Sequence, residues 1–287
     1  MKKCLFLCLA LCIAILSGCN AVSVGIIGGA DGPTKIIVSD HENNHESKSL
    51  KIVDGVKDGK LILAGNNKDD VYYLNSDGIT VLIDGKKATP NDLQDGMPVD
   101  VFFDNKFENP SQQKNGITDI TSFCHNINGY SMGTERNPGG SCYDLSGLYL
   151  KVLEDLWKTD EGLNGNIKYI SVDLSKAPGE LTDGEKSAIS YIFANTHEKE
   201  CLQFSYEELI ENGYLTGDKP YYFEDGVLFS IKENTSVTSI HNGLIKINFN
   251  AQKWRSGTGA YIFTNCTASW PQMGTWKDYK IGGQAIS

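Results

Sequence analysis

The chain reads as an α+β protein, with a small antiparallel β-barrel followed by a unit of helices packed on an antiparallel sheet. Three observations predict this. Short apolar runs separated by Gly, Asp and Asn turns fill residues 50–123. After residue 144 the apolar spacing switches to three and four. Strand-like runs then follow the helical ones in succession, the order of an α+β unit. A length of 287 residues accommodates two such units.

At the N-terminus, Lys2 and Lys3 precede an apolar run from Cys4 to Leu16, the length of a signal-peptide core and short for a membrane span. The run ends in Leu16, Ser17, Gly18 and Cys19, which resembles a bacterial lipobox. That resemblance implies cleavage after residue 18 and transfer of a diacylglycerol, with acyl chains such as palmitate, to the thiol of Cys19. The protein is then expected on the extracytoplasmic face of the cell membrane as a lipid-anchored lipoprotein. Loss of Lys2 and Lys3 with the leader removes two positive charges and takes the formal net charge from −10 to −12. Such a balance disfavours nucleic acid and anionic lipid heads as partners. The membrane, reached through the lipid on Cys19, and another envelope protein are the partners expected. Of the eight cysteines, Cys124, Cys142, Cys201 and Cys266 remain after the leader and the anchor are set aside. An even set in an oxidising compartment permits two disulfides, and spacing favours Cys124–Cys142 with Cys201–Cys266, against free buried thiols.

Residues 19–49 read as a tether carrying two motifs. Gly25 to Thr34 includes Gly28, Gly29, Asp31, Gly32, Pro33 and Thr34, and resembles a signature of the beta subunit of sodium-translocating decarboxylases. In that family the Asp takes part in sodium transport, a role the resemblance would give Asp31. One carboxylate on a solvated tether lacks the further ligands an ion path needs. A recognition peptide, or a hairpin flanked by Ile26, Ile27 and Ile36 to Val38, is the expectation. His41, Glu42 and His45 match the HExxH zinc pattern, which requires a helix to bring both His to one face. Asn43 and Asn44 between them are poor helix formers. No metal and no cofactor is expected.

In residues 50–123 the strand candidates are Leu50–Val56, Lys60–Ala64, Asp70–Leu74, Thr80–Asp84, the run Gln94–Phe103 and Gly116–Ile120. Asp58-Gly59, Asp77-Gly78 and Asp84-Gly85 supply the turns. Asp54 to Gly65 fails as a calcium loop: Val56 stands at the third position and Gly65 where the closing Glu belongs. The stretch 92–104 followed by 115–121 resembles small OB-like domains of unknown function in bacterial lipoproteins, which implies an OB-like barrel.

Residues 124–143, polar and Gly-rich, read as a linker. In 144–287, Leu145, Leu148, Tyr149, Val152, Leu153, Leu156 and Trp157 form a helical stripe. Thr182 with Glu185 and Ser205 with Glu208 are capping boxes that open two more helices. Strands are expected at Ile167–Leu174, Val227–Ile231, Leu244–Phe249, Ala260–Phe263 and Trp276–Ile281, an arrangement closest to NTF2-like or cystatin-like topology. Trp254 and Arg255, beside Gly257 and Gly259, are the candidate ligand pocket. His197 and Cys201 invite a nucleophile reading, but their place at a helix end favours helix termination. No catalytic residue is assigned. A binding or interaction role without catalysis is the expectation, with a hydrolase in residues 144–287 or a pump-like role for the Asp31 motif as alternatives.

Overall fold

The computed structural model describes residues 46–103, 116–131, 144–234, 239–241, 244–271 and 275–287. Cys19, the motif from Gly28 to Thr34 and the His41–His45 pattern lie outside the described residues. The fold is mixed α+β, mostly sheet with few helices.

The first sheet contains β1 (Glu46–Lys57), β2 (Lys60–Ala64), β3 (Val71–Asn75), β4 (Thr80–Ile83), β5 (Lys86–Ala88), β6 (Pro98–Phe103), β7 (Thr118–Asp119) and β8 (Cys124–Gly129). Asp58-Gly59 and Asp84-Gly85 close two-residue hairpins with both φ angles positive, at 50° and 71°, then 50° and 74°. This is the turn whose twist matches the flanking strands. Alternation puts Ile52, Leu61, Leu63, Leu74, Val101 and Ile127 into one core on the inner face.

No closed antiparallel barrel forms. The strand order is β5-β4-β8-β6-β1-β2-β3-β7, open at both ends, and β3–β7 and β4–β8 pair in parallel. Alternation in the sequence reports which face is buried, not which strand lies alongside, so the parallel returns were invisible. β8 falls inside the stretch expected as linker. It reads as polar because only Cys124, Ile127 and Gly129 are buried among its six residues. β1 likewise starts within the expected tether.

The second sheet contains β9 (Tyr169–Lys176), β10 (Glu200–Leu202), β11 (Gly226–Glu233), β12 (Ser239–His241), β13 (Leu244–Ser256), β14 (Gly259–Pro271), β15 (Lys277–Lys280) and β16 (Gly283–Ile286). Three helices accompany it: α1 (Leu145–Trp157), α2 (Asp183–Thr196) and α3 (Tyr206–Glu211). The sheet is mixed rather than antiparallel, since β9 runs parallel to both β10 and β11. The cause is two crossovers, through α2 to β10 and through α3 to β11, each of which returns the chain in the same direction. The helices also divide between faces. α1 and α2 pack with Ile170, Phe229 and Phe249, whereas Leu209 of α3 packs with Leu228 on the other side. Among the described residues no helix is long and apolar enough to cross a membrane.

α1 and α2 lie between the two sheets, and their core takes in Val53, Ala64 and Val71 from the outer face of the first. The Thr182 capping box forms as its spacing predicts: Glu185 N–H donates to Thr182 Oγ1 (3.1 Å) and Thr182 N–H to Glu185 Oε2 (2.9 Å). Both residues also grip the first sheet. Thr182 Oγ1 donates to the Gly65 carbonyl at 2.7 Å, and Lys51 Nζ pairs with Glu185 Oε1 at 2.7 Å.

Candidate functional site

One row of residues crosses the outer face of the first sheet in register: Val53 opposite Ile62, Ile62 opposite Tyr73, Tyr73 opposite Asp119. The C-terminal half of α2 stands over this row. Tyr191 and Asn195, with Ile192 and Thr196, repeat at four-residue spacing and so share one side of the helix. Between row and helix lies a cleft of about 610 Å³, within the range of roughly 300–1,000 Å³ that small-molecule sites span. Val53, Ile62, Tyr73 and Tyr191 line it. Asp54, Lys57, Asp58, Lys60, Asp119, Asn195 and Thr196 contribute polar groups around it.

The local backbone shapes this cleft. Pairing of β1 with β2 shifts register between Val53 and Val56, and the bulge places Asp54 at φ 69° and Gly55 at φ 63°. Positive φ at a non-glycine residue is strained and persists only where its surroundings enforce it. Here Asp95 Oδ1 accepts the Asp54 N–H at 2.8 Å and the Ser146 hydroxyl at 3.1 Å, which ties the bulge to the first turn of α1. Burial raises the pKa of both cleft phenols. The charges of Asp119 and Asp77 add to this at Tyr73, and Tyr73 and Cys201 add to it at Tyr191. Neither phenol hydroxyl has a hydrogen-bond partner among the described residues.

A smaller depression of about 250 Å³ lies at the C-terminal ends of β9 and β10. Its hydroxyls are already engaged. Ser175 bonds Asp173, Ser187 bonds Gln203, Ser190 bonds the Lys186 carbonyl, and Ser205 caps α3. Among the described residues no three His, Cys, Asp or Glu side chains are grouped to hold a metal ion.

No family model, curated protein or solved structure matches the chain.

Trp254 and Arg255, expected as one ligand pocket, are parted by the alternation of β13. Trp254 packs edge-on against Tyr206, with ring centroids 5.0 Å apart, in the core beneath α3. The Arg255 guanidinium donates to the carbonyls of Leu163 (3.2 Å), Gly165 (2.8 Å) and Glu224 (2.7 Å). Lys253, on the Arg255 side and fully buried, donates to the carbonyls of Thr159 and Asp160 and to Asn164 Oδ1 beyond the end of α1. Burial pulls its pKa down to about 8, opposed by the charges of Asp160 and Glu161. These are structural roles. Replacing Lys253 with Met should cost about 2 kcal/mol in urea unfolding, because the carbonyls of Thr159 and Asp160 and the Asn164 Oδ1 lose their donor. An unchanged midpoint would mean that water replaces the ammonium without loss.

His197 caps the end of α2, as its position implies. Its Nε2 meets Glu154 Oε1 at 3.0 Å, and its ring stacks on Trp157 with centroids 3.8 Å apart. Cys201 takes no part in that contact. Its Sγ lies 3.8 Å from the Leu202 carbonyl, and burial pushes the thiol up to about 12, the opposite of what a nucleophile needs. Cys201 and Cys266 are free thiols, which overturns their expected pairing. They sit on β10 and β14, four steps apart in the sheet. That is roughly 19 Å at the usual strand spacing, where a disulfide needs Cα atoms within about 7 Å. Cys142 lies outside the described residues.

Sequence reasoning passed over both cleft tyrosines. Tyr73 lies inside the strand run Asp70–Leu74, and Tyr191 lies six residues beyond the Glu185 of the Thr182 capping box, with no feature of its own to mark it. The one local signal was Asp54-Gly55 inside an apolar run, a pairing that marks a bulge.

Proposed function

We propose that this chain is a lipid-anchored extracytoplasmic binding protein that takes a small ligand in the cleft between the first sheet and α2. The observation that carries the binding role is a pre-shaped cleft whose two phenol hydroxyls have no partner among the described residues, beside a second depression whose hydroxyls are all engaged. Both hydroxyls face the open cleft, where a ligand can take the hydrogen bonds that water otherwise supplies. The lipobox-like end at Cys19 supports the anchor, since two acyl chains hold a protein to a bilayer stably.

Cells making the full chain and fed an alkyne-tagged palmitate should label it, and Cys19→Ala should abolish the label and release the protein from the membrane fraction. Label retained by Cys19→Ala would remove the anchor from the proposal. For the cleft, small molecules that raise the thermal midpoint of the full chain should lose their effect on Asn195→Trp, which sets an indole across the rim. Ligands that protect both forms equally would place binding elsewhere.

A further inference from the structure

We propose that the cleft binds a neutral oligosaccharide, an inference that rests on the cleft being the binding site. A sugar ring offers two kinds of surface: a C–H face that packs on aromatic rings, and an edge of hydroxyls that both donate and accept. The cleft offers the complement of each. Tyr73 and Tyr191 supply aromatic surface with a polar tip. Around them Lys60 and Asn195 bring donors, while Asp58, Asp119 and the Asn195 carbonyl oxygen bring acceptors.

Other ligand classes fit worse. With Asp54 and Lys57 paired to each other, an anion would meet the carboxylates of Asp58 and Asp119, and a cation would meet Lys60 on the same rim. An apolar ligand would strip water from those charges and return no hydrogen bonds. A hard metal ion would need a group of carboxylates that the described residues do not assemble. A neutral polyol uses donors and acceptors together and buries no net charge.

Rigidity supports the same reading. The Asp54-Gly55 bulge is fixed from behind by Asp95, and Lys57 is paired with Asp54 at the end of the same hairpin. Beneath the cleft, Val53 belongs to the shared core and is fully buried. Both phenols have pKa values above the ordinary 10 and remain O–H donors at neutral pH.

The test uses the full chain in a detergent without a sugar head group. Neutral and charged glycans are screened on an array and followed by calorimetry, alongside a general small-molecule library. Binding of at least one neutral oligosaccharide is expected. Tyr73→Phe and Tyr191→Phe should each weaken it about 3- to 10-fold, the loss of one hydrogen bond. Their thermal midpoints should hold or rise, because neither hydroxyl has a partner to lose among the described residues. Tyr191→Ala should weaken binding at least about 10-fold through the lost ring contact as well. Binding only to charged glycans, or to neutral ones with no effect of the tyrosine substitutions, would overturn the proposal. Non-sugar ligands that bind and are lost in Tyr191→Ala would preserve the binding cleft and eliminate the saccharide. If neither the array nor the library yields a ligand sensitive to Tyr191→Ala, both readings fall.

Discussion

Gly184→Ala should destabilise the protein by roughly 3 kcal/mol, the upper range for overpacking a tight contact. Helix propensity alone argues the reverse. Gly184 is the second residue of α2, and alanine in place of glycine within a helix gains about 1 kcal/mol. What opposes that gain is the first sheet. A Cβ at residue 184 would stand 2.4 Å from the Gly65 carbonyl oxygen and 3.0 Å from that of Asn67, backbone atoms that cannot swing aside. Relief requires lifting the helix start away from the β2–β3 turn. That movement stretches the Thr182–Gly65 hydrogen bond and strands Glu185, 2 % exposed, without Lys51. Chemical denaturation of the two forms settles the matter. A more stable alanine variant would mean that the helix does not dock on this turn.

Raising the pH from 4 to 7 should lower the unfolding free energy through Asp95, by roughly 2–3 kcal/mol if its shift is fully expressed. Burial drives its carboxyl from 3.8 up to about 6, helped by the charges of Asp144 and Asp54 and opposed by the bonds from Asp54 N–H and the Ser146 hydroxyl. The sign follows from proton counts. Between about pH 4 and pH 6 the folded state holds a proton at Asp95 that the unfolded chain has released, so each step upward favours unfolding. Above about 6 both states are ionised there and the contribution levels off. Asp95→Asn keeps an oxygen to accept the same two donors and removes the titration. Its stability should therefore lose this slope and exceed that of the native chain at pH 7. Parallel curves for the two proteins across pH 4–7 would show that Asp95 does not titrate in that window.

How much of this was legible in the sequence depends on the distance over which each feature is encoded. The capping boxes at Thr182 and Ser205 and the Asp-Gly hairpins at 58–59 and 84–85 rest on contacts within four residues, and all four form. The stripe from Leu145 to Leu156 is buried, again as a local period requires. Pairing across the sheets is different. β8 and β16 carry too few apolar side chains to announce strands, yet β16 completes the edge beside β14. β10 is only three residues long and owes its place to the α2 crossover. The cleft was least legible. It depends on Val53, Ile62, Tyr73 and Asp119 falling into one row and on Tyr191 arriving from a distant helix, and no spacing in the sequence records that meeting. Arg255 illustrates the converse error. A guanidinium beside glycines suggested a ligand, but backbone carbonyls from two distant loops take its donors first.

The helices held between the sheets bear on how such a chain could have been assembled. Val53, Ala64 and Val71 on one side and the buried stripe of α1 and α2 on the other are two halves of the same apolar surface. Cut apart, each half would turn a greasy flank to water and invite association with whatever met it. A gene segment encoding either half alone would therefore make a poor unit for shuffling, despite a change of apolar period near residue 144 that resembles a module boundary. The two parts are better understood as a single heritable block.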